Sequence, residues 1–545
     1  MAYSAHVDTF AADNLPPRSQ WPELIFDLPE LQYPERMNCA TELLDRAIER
    51  GWGERSAIRS PRGDLSYREL LELSNRIARV LVEDMALVPG NRVLLRGANS
   101  PMMAACWFAV MKAGAIAVAT MPLLRAKELT DIVTKAQVSH ALCDRALAEE
   151  LEIARTNCPS LGTILHFHDE AGLESRLREK PADFRNVETA AEDTALIAFT
   201  SGTTGLPKGT MHFHRDVMAI CDSFPRSILK PIADDVFLGT PPLAFTFGLG
   251  GLLLFPLRFG ASTVLIEKLT PEKLLRAVER YRASIVFTAP TFYRMMAPLA
   301  AGFDLSSLAK CVSAGEALPV STRQLWKDAT GIDIIDGIGA TELLHIFISA
   351  AGADIRPGAT GRPIPGYIAQ VCDEDGKPLP PGTVGMLAVK GPTGCRYLAD
   401  ERQTRYVRGG WNFTGDAYRM DEDGYFHFQA RADDMIISAG YNICGPEVEE
   451  ALLAHPAVAE CAVVGEPDEA RGQIVKAFVV PRREREPGAA LARELQDWVK
   501  SRLAPYKYPR AVEFVAGLPR TETGKLQRFK LRKDSTRRGR QNEEQ

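Results

Sequence analysis

A loop rich in glycine and hydroxyl side chains, TSGTTGLPKG at residues 200–209, is the stretch of this sequence best suited to chemistry. Its glycines let the backbone approach a ligand closely, its hydroxyls can donate to oxyanions, and Lys208 adds a point charge. A triphosphate requires these properties of the loop that binds it. The candidate phosphate-binding residues are Thr200, Ser201, Gly202, Thr203, Thr204, Gly205 and Lys208.

The loop differs from the GxxxxGK[ST] phosphate loop, because Gly209 follows the lysine and no helix start is evident there. A loop of this composition alone is more often a flexible Ser/Gly connector. The complete ten-residue string is far more specific, and it resembles the signature loop of the adenylate-forming superfamily. That superfamily includes acyl-CoA synthetases, peptide-synthetase adenylation domains and luciferases, which carry further motifs in a fixed order.

Two of those motifs follow in the expected order, and the resemblance implies a role for each. SAGEAL, at 313–318, resembles the turn that lies against adenine. In DGIGATE, at 336–342, the resemblance implies that Asp336 accepts from the adenine amino group, Thr341 contacts the α-phosphate and Glu342 holds magnesium. The implied nucleotide ligands here are Gly315, Glu316, Ala317, Asp336, Gly337 and Ile338, and the implied metal ligands are Glu342 and Thr204.

Three motifs nearer the C-terminus complete the set. The resemblance implies that Asp416 in FTGD accepts from both ribose hydroxyls and that Arg431 in RADD serves the ribose and phosphate side. It implies that Lys525, in PRTETGKLQR, bridges the substrate carboxylate and the α-phosphate. Taken singly, these are more often a turn residue, a surface charge and a solvated lysine. The resemblance spans residues 40–528, and an ordered set of this size is hard to obtain by chance.

The resemblance implies an AMP-forming acid–thiol ligase that uses ATP, Mg²⁺ and coenzyme A. A carboxylate first becomes an acyl-adenylate with release of diphosphate, and the acyl group then passes to the CoA thiol. Lys525, Thr341 and Glu342 are implied to be catalytic in the first step. Because the thiol must reach the carbonyl that Lys525 guards, the small domain is expected to move. The resemblance implies that Asp433 is its hinge and that Gly440 lies beside the pantetheine path.

Residues 241–251, PPLAFTFGLGG, and 343–347, LLHIF, are expected to select the acid. Apolar walls with a few convergent polar groups are usual in small-ligand pockets, although composition alone would assign these phenylalanines to the core. The strings GIGATELLHIF and PPLAFTFGLGGLLLFPLRFGAS resemble the benzoate-CoA ligase group, and most of all 2-aminobenzoate (anthranilate) CoA ligases. The candidate acid-binding residues are Phe245, Thr246, Phe247, Gly339, His345 and Ile346, with Phe347 as a further wall.

The resulting prediction is a 2-aminobenzoate CoA ligase, with benzoate or another aryl or arylacetic acid as an alternative. Ile437 stands where the benzoate group carries a lysine, which counts against plain benzoate. A second alternative is an adenylating enzyme that delivers to an acyl carrier protein, although no carrier-attachment motif is seen after Arg528. A third is a nucleotide- or acyl-CoA-binding module without turnover, and retention of the catalytic motifs argues against it.

These motifs require a scaffold of α/β layers. From residue 40 to 336, short apolar runs such as RVLLRG, GAIAVAT, TALIAFT and ASIVFTA alternate with helix-length stretches, which predicts largely parallel sheets. Gly- and Pro-rich runs from 359 to 428 predict a β-rich subdomain, and a small α+β domain is expected after residue 430. The predicted domains are residues 1–432, the large AMP-binding domain; 433–530, a small mobile domain carrying the catalytic lysine; and 531–545, a polar tail.

The composition favours a cytoplasmic enzyme with more than one domain. The chain has 545 residues, 46% of them hydrophobic. A formal net charge of −5 gives no electrostatic reason to expect nucleic acid or anionic lipid as a partner. The N-terminus lacks a secretory signal, and the ten cysteines lack metal-ligand spacing. The expected partners are a small aromatic acid, ATP and CoA, without membrane contact, and the chain is expected to be a monomer or homodimer.

Overall fold

The computed structural model describes residues 3–200, 207–431, 434, 436–438, 441–468, 471–483, 485–503, 506–520, 526–528 and 530–532. They form a large N-terminal unit of three sheets and a smaller C-terminal unit, which confirms the predicted layered α/β class. Two short strands, β1 (Ser56–Arg59) and β2 (Leu65–Ser66), come first in the chain and lie at one edge of the second sheet.

The first sheet has six strands and carries the ends of the predicted phosphate-binding loop. Its strands are β3 (Arg92–Arg96), β4 (Ile116–Thr120), β5 (His140–Asp144), β6 (Thr163–Phe167), β7 (Thr194–Thr200) and β8 (Lys208–Phe213). Their order is β6-β5-β3-β4-β7-β8, and each neighbouring pair is parallel except β7 and β8. The predicted apolar runs form β3, β4 and β7, as strands buried on both faces require.

The second sheet has nine strands and carries the two motifs predicted to hold adenine. Besides β1 and β2 it contains β9 (Val236–Gly239), β10 (Ser262–Val264), β11 (Ile285–Thr288), β12 (Lys310–Ser313), β13 (Ile334–Gly339), β14 (Ile346–Ser349) and β15 (Arg362–Pro363). The order is β15-β14-β13-β12-β11-β9-β10-β1-β2, parallel from β13 to β1. Ligands bind beyond the carboxyl ends of parallel strands, and both β12 and β13 end in predicted site motifs.

The third sheet is antiparallel, as the hairpin signals between 359 and 428 predict. It contains β16 (Ile368–Cys372), β17 (Val384–Lys390), β18 (Val407–Arg408), β19 (Trp411–Met420) and β20 (Phe426–Arg431). Strand β19 lies between β17 and β18 and also pairs with β20. This places the FTGD motif and Arg431, the first residue of RADD, on neighbouring strands.

The C-terminal unit combines a hairpin, a three-stranded sheet and helices. Its strands are β21 (Ile436–Ser438), β22 (Tyr441–Ile443), β23 (Val458–Asp468), β24 (Gly472–Pro481) and β25 (Ala511–Phe514). Strands β21 and β22 form the hairpin, while β24 pairs antiparallel with β23 and parallel with β25. The predicted boundary at residues 432 and 433 falls outside the described residues.

The α-helices cover the faces of these sheets. They are α1 (Phe10–Asp13), α2 (Arg46–Glu49), α3 (Tyr67–Arg79), α4 (Pro101–Lys112), α5 (Ala126–Ala136), α6 (Ala148–Arg155), α7 (Leu173–Leu177), α8 (His214–Asp222), α9 (Thr246–Leu249), α10 (Phe255–Arg258), α11 (Pro271–Tyr281), α12 (Pro290–Met296), α13 (Val320–Thr330), α14 (Gln403–Tyr406), α15 (Gly445–Leu453) and α16 (Ala489–Lys500). Wider π-type turns occur at Thr41–Asp45, Val80–Asp84, Pro225–Leu229 and Gly250–Leu254. Short 3-10 turns are Arg18–Gln20, Pro29–Leu31, Arg145–Leu147, Ala297–Gly302, Thr341–Leu343 and Gly352–Asp354.

Helix α4 shows how the sequence sets these elements. The Ser100 hydroxyl accepts from the Met103 amide and Pro101 occupies the first turn, two features that start a helix. The helix is apolar all round because it is buried, and it leads directly into β4. Among the described residues, no helix is long and apolar enough to cross a membrane.

All ten cysteines of the chain are buried and unpaired. Burial disfavours the charged thiolate. It raises the pKa of the Cys143, Cys311 and Cys444 thiols to about 12. The remaining cysteines are Cys39, Cys106, Cys158, Cys221, Cys372, Cys395 and Cys461.

Candidate active site

The predicted phosphate-binding loop is described only at its two ends. Thr200 and Lys208 are paired residues of the antiparallel strands β7 and β8. The Lys208 Nζ lies 3.4 Å from the Tyr397 hydroxyl and 5.3 Å from the centre of its ring. The lysine therefore starts a strand, in keeping with the absence of a helix start after it in the sequence. Outside the described residues lie Ser201, Gly202, Thr203, Thr204 and Gly205.

Sequence reasoning did not find Tyr397, which joins two predicted site residues. Its hydroxyl donates to Glu342 Oε1 and accepts from Lys208. The tyrosine is placed by backbone bonds between residues 396–398 and β8, including 2.8 Å from the Leu398 amide to the Gly209 carbonyl. Burial and the nearby Glu342 carboxylate raise the pKa of Tyr397, so its hydroxyl remains a donor. A cation, a hydroxyl and a carboxylate thus form one hydrogen-bonded chain.

The turn that carries Thr341 and Glu342 is held from behind by His212. The His212 Nε2 lies 2.8 Å from the Thr341 carbonyl oxygen and must donate to it, because a carbonyl only accepts. The other ring nitrogen lies 3.8 Å from the Asp216 carboxylate, which forms an ion pair with Arg396. All three supporting side chains are fully buried. This network fixes the carbonyl of Thr341 and, through the chain, the direction of Glu342.

Asp336 is a buried carboxyl with one oxygen that lacks a donor among the described residues. It lies on β13, and its Oδ1 has no hydrogen-bond partner among the residues that the structure describes. Burial raises the pKa of its carboxyl to about 7, and the positive charge of Arg323 opposes only part of that shift. Leaving a buried acceptor unpaired costs about 1–3 kcal/mol. A ligand N–H placed here would satisfy the group, as the implied adenine contact requires.

The SAGEAL turn lies at the end of β12, beside a residue of the small unit. Gly315 has φ +89°, a conformation in which other residues are strained. The Glu316 carboxylate accepts from the Thr291 hydroxyl at 2.7 Å and from Arg520 at 3.2 Å. Ala317 is exposed. The turn therefore offers its backbone to a ligand while its acidic side chain is held by partners.

The FTGD motif and the first residue of RADD meet across the third sheet. Asp416 on β19 is buried and stands directly opposite Arg431 on β20 in the strand register. Of Arg431 only the backbone is described. The predicted hinge residue Asp433, the predicted CoA-path residue Gly440 and the predicted catalytic Lys525 lie outside the described residues.

The predicted acid pocket contains an aromatic box around His345. Its ring centre lies 4.5 Å from that of Phe255 and 5.7 Å from those of Phe247 and Phe224. Gly250 completes the box, since an added Cβ would lie 2.4 Å from His345 Cδ2. Burial lowers the pKa of His345 to about 3, with the Phe247 backbone opposing, so the ring is neutral at pH 7. Neither ring nitrogen bonds to another described side chain.

The other predicted acid-binding residues lie at or beside α9, β13 and β14. Phe245 precedes α9 and is partly buried, while Thr246 and Phe247 begin that helix and are buried. Ile346 packs over Gly337, where an added Cβ would lie 2.8 Å from its side chain. Phe347, its neighbour on β14, points to the opposite face and packs on Tyr367. Phe347 therefore lies on the face of β14 opposite to Ile346, and its role as a further wall stays a prediction.

Strand β13 joins the nucleotide motifs to the acid pocket. Gly339 pairs with Ile346, three residues beyond Asp336, or about 10 Å along the strand. A side chain at Gly339 would collide with the His345 carbonyl, 2.7 Å from its Cβ. Ile338, which lies between Asp336 and Gly339 on this strand, is partly buried. The turn with Thr341 and Glu342 follows at once, so one continuous segment passes the predicted adenine, acid and phosphate positions.

Comparisons with known proteins agree with this arrangement. The AMP-binding enzyme family matches residues 44–397, and the AMP-binding enzyme C-terminal domain matches residues 447–525. The chain is 35% identical to a benzoate–CoA ligase of Thauera aromatica, over 92% of this chain and 97% of the relative. It is also 35% identical to the mitochondrial acyl-coenzyme A synthetase ACSM3 of Rattus norvegicus, over 86% of this chain and 84% of the relative.

Solved structures show the same relationship. The crystal structure of the anthranilate CoA ligase AuaEII with anthranoyl-AMP has a TM-score of 0.89 and 35% identity, covering 93% of this chain and 99% of that one. A benzoate CoA ligase from Burkholderia xenovorans LB400 has a TM-score of 0.83 and 32% identity, covering 91% of this chain and all of that one. The chain therefore belongs to the AMP-binding enzymes and, among them, to the AMP-forming acyl- and aryl-CoA ligases.

Proposed function

We propose that this protein converts an aromatic carboxylic acid, ATP and coenzyme A to an aroyl-CoA, AMP and diphosphate, with 2-aminobenzoate as the preferred acid. The observation that carries the proposal is the aromatic box around His345. The next residue, Ile346, pairs with Gly339 of β13. The same strand carries Asp336, whose Oδ1 has no hydrogen-bond partner among the described residues. Three phenylalanine rings pack on His345, and similarity to benzoate and anthranilate ligases supports an aromatic acid.

In the first half-reaction a substrate carboxylate oxygen attacks the α-phosphorus of ATP. The new oxygen–phosphorus bond forms as the bond to the β-phosphate breaks, and diphosphate leaves. Charge spread over the phosphoryl oxygens is stabilised by preorganised donors. Thr341 and Lys208 supply such donors from the described residues, and Lys525 is proposed to supply the cation between carboxylate and α-phosphate. Asp336, Asp416 and Arg431 are proposed to hold the nucleoside.

The described residues fit a magnesium ion shared with the phosphates. Glu342 offers one buried carboxylate next to Lys208 and Tyr397. No cluster of three or more His, Cys, Asp or Glu occurs in the part of the chain that the structure describes. Mg²⁺ is commonly held by one or two carboxylates plus substrate phosphates, so one carboxylate suffices. Glu342 and Thr204 would hold the ion, which would neutralise phosphate charge.

In the second half-reaction the CoA thiol displaces AMP from the aroyl carbon. We propose that the small domain moves about Asp433 so that the thiol can reach this carbon past Gly440, because Lys525 occupies that approach during adenylation. The thiol proton leaves as the carbon–sulfur bond forms, and AMP carries away the electron pair of the broken bond. An acyl carrier protein in place of CoA would use the same chemistry.

The neutral state of His345 narrows the choice of acid. With a pKa of about 3 the ring carries no charge at pH 7, so it gives no ion pair to a charged substituent. Thr246, buried at the start of α9, offers a hydroxyl instead. A neutral aryl amine ortho to the carboxylate can exchange a hydrogen bond with such a hydroxyl, whereas benzoate cannot.

The test is AMP formation with ATP, Mg²⁺ and CoA over benzoate, 2-aminobenzoate, hydroxybenzoates, phenylacetate and medium-chain fatty acids. The proposal expects the highest kcat/KM with 2-aminobenzoate. Turnover with aliphatic acids alone would overturn the aromatic pocket but keep the ligase chemistry. Acid-dependent exchange of diphosphate into ATP without CoA turnover would favour a carrier-protein acceptor.

Thr246→Ala tests the ortho-substituent contact. We expect the kcat/KM ratio of 2-aminobenzoate over benzoate to fall about 3- to 10-fold, the value of one ordinary hydrogen bond. Thr246→Ser, which keeps the hydroxyl, is the matched control and should keep most of the preference. An unchanged ratio in the alanine variant would remove Thr246 from substrate selection.

A further inference from the structure

Arg520 joins the small unit to the adenine turn of the large one. Its guanidinium lies 3.2 Å from Glu316 Oε1 on the large unit and 2.8 Å from Glu460 Oε2 on the small unit. The opposite oxygen of Glu316 accepts from Thr291 at 2.7 Å, so the carboxylate has a fixed direction. One arginine therefore bridges a carboxylate of each unit.

Arg520 also begins the segment whose far end is the predicted catalytic lysine. Arg520 pairs with Leu526 in an isolated antiparallel bridge, and the Gln527 amide donates to the Pro519 carbonyl at 2.8 Å. Residues 519–520 and 526–527 are thus tied to each other. Because Arg520 also binds Glu316, residues 519–520 and 526–527 are held next to the SAGEAL turn. Leu526 directly follows Lys525 in the sequence.

A second contact between the units lies four residues along the same turn. The Glu450 carboxylate of α15 accepts from the Val320 amide, the first residue of α13, at 3.2 Å. A carboxylate at a helix N-terminus is favoured by the free amides there. The large unit therefore presents one short segment, residues 316–320, to which an arginine and a glutamate of the small unit both bind.

We propose that Arg520 is a positioning residue: by binding Glu316 it holds the small domain in the arrangement that serves adenylation. This inference rests on the proposed function, because it requires two half-reactions that use different domain arrangements. Any rotation of the small domain away from the large one must break the Arg520–Glu316 pair. Since Glu316 lies in the turn next to the nucleotide site, the same carboxylate connects nucleotide binding to domain position.

The strength of this contact lies between that of a surface pair and that of a buried pair. The Arg520 side chain is 28% exposed and that of Glu316 is 17% exposed. Exposed pairs alter equilibria only a few-fold, and a partly buried, hydrogen-bonded pair alters them more. A contact of this strength suits a small domain that must break it once in each catalytic cycle.

The experiment measures the two half-reactions separately in Arg520→Gln and Arg520→Lys. Diphosphate exchange into ATP reports adenylation, and thioester formation from preformed aroyl-AMP and CoA reports the second step. We expect exchange to fall about fivefold or more in Arg520→Gln, while thioester formation stays constant or rises. Arg520→Lys, which keeps the charge but loses the planar fork, should fall between the wild type and Arg520→Gln.

Glu460→Gln is the matched control, because it removes a partner of Arg520 within the small unit and leaves Glu316 in place. It should keep the ratio of the two half-reactions. The double charge reversal Glu316→Arg with Arg520→Glu should recover exchange relative to either single reversal. Equal losses in both half-reactions of Arg520→Gln, or additive losses in the double reversal, would overturn the positioning role.

The wild-type protein separates this inference from the function on which it rests. If the wild type shows no diphosphate exchange with any acid of the panel, the proposed function fails and the positioning role fails with it. If the wild type performs both half-reactions and the Arg520 variants keep their ratio unchanged, the positioning role alone fails.

Discussion

At the scale of single residues, the Asp336 carboxyl links nucleotide binding to pH. In the free protein its pKa is raised to about 7 because it is buried and its Oδ1 lacks a donor among the described residues. An adenine amino group that donates to it would favour the ionised form and lower this pKa. Between the lowered and the raised pKa the free protein is protonated and the complex is not, so binding must release a proton.

We therefore predict that AMP binding releases protons near pH 7 and that affinity rises from about pH 6 to about pH 8. Calorimetry in two buffers of different ionisation enthalpy measures the number of protons released. Asp336→Asn keeps the shape and cannot ionise, so it should lose this part of the release. Equal proton release by the two proteins would show that Asp336 does not receive the adenine donor.

Some candidate site residues could be identified from the sequence, and others could not, for a physical reason. Thr341, Glu342 and Asp336 stand within one short motif, so a local string identifies them. Tyr397 has no such string, because it meets Glu342, 55 residues earlier, only through backbone pairing with β8. The position of His212 behind Thr341 likewise depends on contacts across 129 residues.

At the scale of elements, the π-type turn Gly250–Leu254 lies against His345 of the predicted acid pocket. Gly250 faces the His345 ring, and an added Cβ would lie 2.4 Å from Cδ2. Alanine in place of a helical glycine would gain about 1 kcal/mol of helix propensity. The collision should outweigh this gain at about 1–3 kcal/mol, because three phenylalanine rings prevent His345 from moving away.

We predict that Gly250→Ala raises KM for the acid roughly tenfold or more and leaves KM for ATP nearly unchanged. Steady-state kinetics with each substrate varied in turn measure this difference. Gly302→Ala is the control, since an added Cβ there meets nothing within 4 Å. A parallel rise of both KM values would mean that the substitution disturbs more than the acid pocket.

The type of most elements follows from their apolar pattern, while their finer form does not. Strands β3, β4 and β7 coincide with the predicted apolar runs because buried parallel strands need residues such as Leu, Ile and Val on both faces. The run GGLLLF is apolar at every position, so its period cannot distinguish a π-type turn from an α-helix. The pocket shape was therefore beyond sequence reasoning.

At the scale of the whole molecule, the proposed mechanism assigns the two half-reactions to two domain arrangements. Lys525→Ala should then reduce adenylation about 100- to 1000-fold, the usual effect of removing one preorganised charge, and spare thioester formation from preformed aroyl-AMP. Lys530→Ala, which removes another lysine of the same domain, should leave both steps close to wild type. Equal losses of both steps in Lys525→Ala would contradict the assignment.

The burial of all ten thiols has a consequence for a protein that handles an activated acyl group. A mixed anhydride acylates any accessible thiolate, and only the thiolate is the effective nucleophile. Cysteines whose pKa values are raised by burial offer no such rival to coenzyme A. The enzyme is thereby protected from labelling itself with its own intermediate, and it exposes no sulfur with which oxidised CoA could form a mixed disulfide.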